Sequence, residues 1–199
     1  MRFTDFLLEQ PIVYSLWQKP FVSQKFAPVM RETNLESVRK VLDVGCGPGT
    51  NTSVFSKNDY LGVDINPSYI ETARKKFNRD FLVADVTTYT DIPEVKFDFV
   101  LINSFLHHVD EAATDAILSR LKFWTSSDGF VHIIELVYPP ERSIARFLAW
   151  ADRGKFPRPL EQWRTIFNRH LDVQIFEEYP LTGLGATLWK MAYCKGKPR

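Results

Sequence analysis

Five short apolar runs punctuate the chain: KVLDVG (40–45), YLGVD (60–64), FLVAD (81–85), FDFVLIN (97–103) and FVHIIELV (130–137). Each is rich in Val, Ile, Leu and Phe and too short for a helix, so each reads as a strand buried on both faces, as in a parallel sheet. Helical patterns lie between them. Asn66-Pro67 sets a cap before a proline at the first helical position, and Ile70, Ala73 and Phe77 follow on one face. Asp110 precedes a stripe of Ala113, Ile117 and Leu121. Ile144, Phe147, Leu148 and Ala151 form another, and Pro159 opens a helix carrying Leu160, Trp163 and Phe167. The last two runs, VQIFEEYP (173–180) and ATLWKMAYC (186–194), are joined by LTGLG, which leaves no room for a crossover helix. They predict an antiparallel hairpin at the sheet edge. The whole is an α/β pattern: a doubly wound, mostly parallel seven-stranded sheet with an antiparallel C-terminal hairpin.

Composition narrows the function classes. The 199 residues suit one domain, and 25 basic against 24 acidic residues leave a net charge of +1, no electrostatic footprint for nucleic acid. Cys46 and Cys194 are far apart and outside any CxxC pair, which argues against a disulfide framework or a zinc site. No stretch approaches the ~20 apolar residues of a membrane span, and the N-terminus lacks a signal-type apolar core. A cytoplasmic protein is expected.

The chemistry-bearing residues sit at strand ends, where ligands bind in such a sheet. The first strand runs into Asp43-Val44-Gly45-Cys46-Gly47-Pro48-Gly49-Thr50. Alternate glycines permit positive φ and a close approach of ligand to backbone. Asp64 ends the second strand and Asp85 the third. An acid at the end of the second strand can accept both hydroxyls of a ribose, whereas Asp85 is equally readable as a cap or turn before Thr87.

VLDVGCGPGT resembles motif I of the class I S-adenosylmethionine-dependent methyltransferases, and YLGVDINPSYIETAR, FLVADV and FDFVLINSFLHHV resemble their next three motifs in order and spacing. The resemblance implies a Rossmann-like fold with S-adenosyl-L-methionine as cofactor and S-adenosyl-L-homocysteine as product. It implies that Gly45, Gly47 and Gly49 admit the methionine part, and that Asp43 binds its amino group directly or through water. Asp64 would hold the ribose and Ile65 pack on the adenine. Asp85 and the Val86 backbone N–H would meet the adenine edge, and Asn103 would lie near the sulfonium. The single domain, 1–199, is then expected to comprise a helical lid (1–36), a cofactor-binding core (37–137), and substrate-side helices with the hairpin (138–199).

The implied reaction is in-line methyl transfer to a small, partly apolar or aromatic molecule. No NPPY-like fourth motif, paired-glutamate loop or extra recognition domain points to a macromolecular acceptor. An RNA- or protein-modifying enzyme and a cofactor-binding protein without transfer activity remain alternatives. The expected substrate side is Tyr14 and Trp17 in the N-terminal segment, Phe105 after the fourth strand, and Trp150 and Arg153 in a basic stretch that also holds Arg146 and Arg158. His107 and His108 leave the fourth strand beside the reactive methyl. They read either as a general base or substrate-orienting group, or as a hydrogen-bonded part of the loop. Metal is not expected: the E-x-x-E-H of metal-assisted members is missing, and two adjacent histidines do not readily converge on one ion.

Overall fold

The computed structural model describes residues 21–88, 96–152 and 154–199. Strands β1 (Lys40–Val44), β2 (Asp59–Asp64), β3 (Asp80–Val83), β4 (Phe97–Asn103), β5 (Thr125–Val137), β6 (Leu171–Gly183) and β7 (Ala186–Pro198) form one sheet. Their order is β3-β2-β1-β4-β5-β7-β6. β1 to β5 pair in parallel, and β7 runs antiparallel between β5 and β6. The helices are α1 (Val22–Glu32), α2 (Pro67–Lys76), α3 (Glu111–Trp124), α4 (Ile144–Ala151) and α5 (Leu160–His170).

Alternation along the strands divides the apolar residues between the two faces. Leu42, Val44, Val100 and Ile102 enter one core with Ile117, Leu121, Trp163 and Phe167 of α3 and α5. Val41, Phe99, Leu101 and Ile134 enter the other with Phe26, Val29, Ile70 and Ala73 of α1 and α2. The caps form as the residue types demand: the Asn66 side chain accepts from the Ser68 and Tyr69 N–H groups, and Asp110 from that of Ala113.

One expectation about extent changes. β6 and β7 are thirteen residues each, longer than their apolar windows. Pairing needs backbone rather than apolar side chains, and Lys195 and Gly196 continue the ladder against His132 and Val131. Among the described residues α1 begins at Val22; Tyr14 and Trp17, expected on the substrate side, lie outside them. No helix among those residues is long and apolar enough to cross a membrane. The chain order reverses between β1 and β4, so the carboxyl ends of these two strands frame the crevice of the sheet.

Candidate active site

A cavity of about 390 Å³ opens at that crevice. One side is built by Gly45, Cys46, Gly47, Asp64, Ile65 and Asn103. The other is built by Phe21, Lys25 and Phe26 around α1 and by Leu181, Trp189 and Met191 of the hairpin. His107, His108 and Asp152 close one end.

The three motif glycines all hold positive φ (74°, 55° and 81°), yet they serve different neighbours. A Cβ on Gly45 would stand 2.5 Å from the Phe105 ring, and one on Gly49 would stand 2.7 Å from the Phe77 ring. Around Gly47 nothing lies within 4 Å. Gly45 and Gly47 therefore border the cavity, whereas Gly49 is a packing position against Phe77 and does not line it. Asp64 ties the loop down: its carboxylate accepts from the Gly47 N–H (2.9 Å) and the Asn66 N–H (2.8 Å) while facing the cavity. Ile65 beside it is 62% exposed, an apolar platform with no protein covering it fully.

Asp43 does not itself line the cavity. Its carboxylate is fully buried behind the cavity wall, accepting from Tyr60 Oη (2.6 Å) and from Asn51 Nδ2 (3.2 and 3.1 Å). Burial, only partly offset by those donors, pushes its pKa up to about 6. It reaches the cavity through intermediaries. Asn51 Oδ1 accepts from Asn103 Nδ2 (2.8 Å), Asn103 Oδ1 accepts from Ser104 Oγ (3.2 Å), and Ser104 Oγ accepts from Lys25 Nζ (3.1 Å). A single directed chain of hydrogen bonds thus runs from a buried ammonium to a buried carboxylate. Asp85 accepts from the N–H and Oγ1 of Thr87 (2.9 and 2.6 Å), and neither it nor Val86, buried in the core, lines the cavity. Asp85 thus makes the turn before Thr87 that one of its two readings expects.

The loop after β4 is clasped from three directions. Glu135, fully buried on β5, accepts from the Phe105 and Leu106 N–H groups (2.8 and 2.6 Å) and from His107 Nδ1 (2.7 Å). His107 Nε2 faces Asp152 at 3.3 Å. Gly154 lies so close that a Cβ would meet the His107 ring at 2.2 Å, and the Phe156 N–H donates to the His107 carbonyl (3.0 Å). Arg158, in the basic stretch, is buried, donating to the Leu106 and Val109 carbonyls (3.0 Å each) and stacking over Trp163. Its guanidinium gives both loop carbonyls a donor from outside the loop.

The histidines separate. Burial alone would lower the His107 pKa, but the charge of Glu135 and the contact with Asp152 outweigh it and raise it to about 9. Asp152 is correspondingly lowered to about 2, its burial overcome chiefly by His107. Both ring nitrogens of His107 face carboxylates, an arrangement that favours its imidazolium form. His108 is exposed at the cavity edge, its ring tilted 38° to that of His107 at 4.2 Å. His107, His108 and Asp152 each bring one ligand-type atom within 4.8 Å of the others.

Phe105, one of the residues expected on the substrate side, lines the cavity next to Gly45. Trp150 does not: it is exposed on α4, packed on Phe147 at 6.0 Å. Arg153 lies outside the described residues. Lys25, Asn51, Glu135, Asp152 and Trp189 went unread in the sequence. Only Glu135 left a signal there, as an acid inside the apolar run FVHIIELV.

Residues 41–129 match a protein-family profile described as "Methyltransferase domain". Trans-aconitate 2-methyltransferase of Methylobacterium radiotolerans is 34% identical over 100 residues, 48% of this chain and 37% of that protein. The enzyme of the same name from an Enterobacter species is 33% identical over 174 residues, 84% of this chain and 65% of that one. The chain spans less than two thirds of the length of either relative. The crystal structure of a SAM-dependent methyltransferase from Methanosarcina mazei shares the fold, with a TM-score of 0.68 at 16% identity over 85% of this chain and 97% of that one.

Proposed function

The chain belongs to the class I S-adenosylmethionine-dependent methyltransferases, and on that premise we propose that it transfers the cofactor's methyl group to a small molecule bound in the cavity between α1 and the C-terminal hairpin. One observation carries the reading: the glycine loop, the strand-end acid Asp64 and Asn103 converge on a single cavity whose remaining wall combines aromatic and apolar side chains with Lys25, His107, His108 and Asp152. Two relatives named for trans-aconitate support a small acceptor.

The residues suit the cofactor. Asp64, already oriented by two backbone N–H groups, keeps acceptor capacity for a ribose diol, and Ile65 offers an apolar face for the adenine. Asn103 presents its amide to the amino and sulfonium end, with Asp43 acting on that end only through Asn51. When bound, S-adenosylmethionine supplies an electrophilic methyl carbon on a positively charged sulfur. The protein's share is alignment: holding two reactants in line can supply ~7–11 kcal/mol of the barrier reduction. Glu135, His107, Asp152 and Arg158 fix the loop on which Asn103, Ser104 and Phe105 stand, so they position without touching the reacting atoms. His108 is the member of the pair placed to orient an acceptor.

Calorimetric titration with S-adenosylhomocysteine should show one binding site, and Asp64→Ala should weaken it by roughly tenfold or more, the loss of a charge-assisted hydrogen bond. Turnover on a panel of small molecules should follow. Absence of binding by the wild type, or activity confined to RNA and falling steeply with salt, would reject the reading.

A further inference from the structure

Lys25 is the least expected residue in the cavity. It sits on α1, 7% exposed, in the same wall as Phe21, Phe26, Leu181 and Met191. Burying an ammonium among such neighbours is costly, and positions that bear the cost are enriched in function. Its Nζ donates to Ser104 Oγ at 3.1 Å. Ser104 follows Asn103 directly and holds φ +53°, a left-handed conformation that a non-glycine residue adopts only where its surroundings impose it. The ammonium is therefore aimed at the end of β4, where the family's methyl group is presented. At that end of the cavity both ring nitrogens of His107 face carboxylates.

An acceptor that keeps its proton until it arrives would find nothing at His107 to take it, whereas one that arrives ionised needs only a cation to hold it. We infer that Lys25 is a specificity-determining residue and that the acceptor is a carboxylic acid with an apolar or aromatic body, its carboxylate held by Lys25 and its body lying against Phe21 and Trp189. These two rings already pack edge to face, 5.2 Å apart, and join α1 to the hairpin. The step then balances without proton transfer. A carboxylate oxygen forms the bond to the methyl carbon while the sulfur–methyl bond breaks, its electron pair staying on sulfur, to give a neutral ester and a neutral thioether.

This inference rests on the methyltransferase reading, and the test separates the two. The wild type is offered benzoate, cinnamate and octanoate beside the corresponding amides, with S-adenosylhomocysteine binding measured in parallel. Methyl esters should form from the acids and nothing from the amides. Lys25→Met should raise the KM for the acids by at least about tenfold, as loss of one partner of a buried charge pair does, while Lys25→Arg, which keeps the cation, should retain most of the activity. Normal cofactor binding with acids and amides treated alike overturns the acceptor assignment alone, as does a Lys25→Met variant with unchanged KM. A Lys25→Arg variant as inactive as Lys25→Met, with neutral acceptors preferred, makes Lys25 a base and also overturns it. Failure of the wild type to bind S-adenosylhomocysteine removes the underlying function as well.

Discussion

A histidine placed between two carboxylates binds a proton more tightly in the fold than in the unfolded chain. For His107 the folded pKa of about 9 stands above the ordinary ~6.5. Between those values the folded state carries the extra proton, so the contribution is complete below pH ~6.5 and is lost as pH rises through about 9. Its size is on the order of 3 kcal/mol. Thermal denaturation from pH 6 to 10 should show the wild-type melting temperature falling across that window, and His107→Gln should be lower at pH 6 and nearly flat. A parallel decline in both proteins would contradict the clamp. At this scale the sequence was half legible. LINSFLHHVD announced its address because strand ends in such a sheet face ligands. The partners Glu135 and Asp152 were invisible because they come from β5 and the end of α4, and no local spacing links them to His107.

Among elements, the glycine loop allows a matched comparison. Gly45→Ala meets both the left-handed backbone cost and the Phe105 ring, whereas Gly47→Ala meets the backbone cost alone. The expected losses are ~2–4 kcal/mol for the first and ~1–2 kcal/mol for the second, read by urea denaturation. S-adenosylhomocysteine affinity should fall in both, but only Gly45→Ala should disturb the near-UV signal of the loop that carries Phe105. Equal stabilities in the two variants would mean that Phe105 yields freely. Helix starts at Asn66 and Asp110 were readable because a cap is a local device, one side chain serving N–H groups two or three residues on. The lengths of β6 and β7 were not, since strands pair through backbone that polar residues supply as well as apolar ones.

For the molecule as a whole, the alternation of strand and helix made the doubly wound sheet legible, because buried parallel strands are apolar on both faces and announce themselves as runs. What joins the sheet's halves was less so. His132 on β5 is buried, stacked on Phe99 at 4.0 Å and hydrogen-bonded to Tyr193 Oη of β7 at 2.9 Å. Burial first, then the charge of Lys195, lowers its pKa to about 3. The unfolded chain takes up this proton below pH ~6.5 and the fold refuses it until about 3, so stability falls as pH drops through that interval. Replacing His132 with Leu should shift the acid-unfolding midpoint, followed by circular dichroism, to lower pH even if neutral-pH stability suffers. An unchanged or higher midpoint would count against the assignment.

The place of β7 has a consequence in time. It is synthesised after both of its neighbours, yet it lies between them. While the ribosome is still making it, β5 presents an open edge of unpaired N–H and C=O groups, and β6 has no strand of the sheet to join. The nascent chain therefore passes through a stage with most of its core assembled and one template edge bare, the stage at which a second copy could pair wrongly. Slow translation past residue 183 would prolong that exposure.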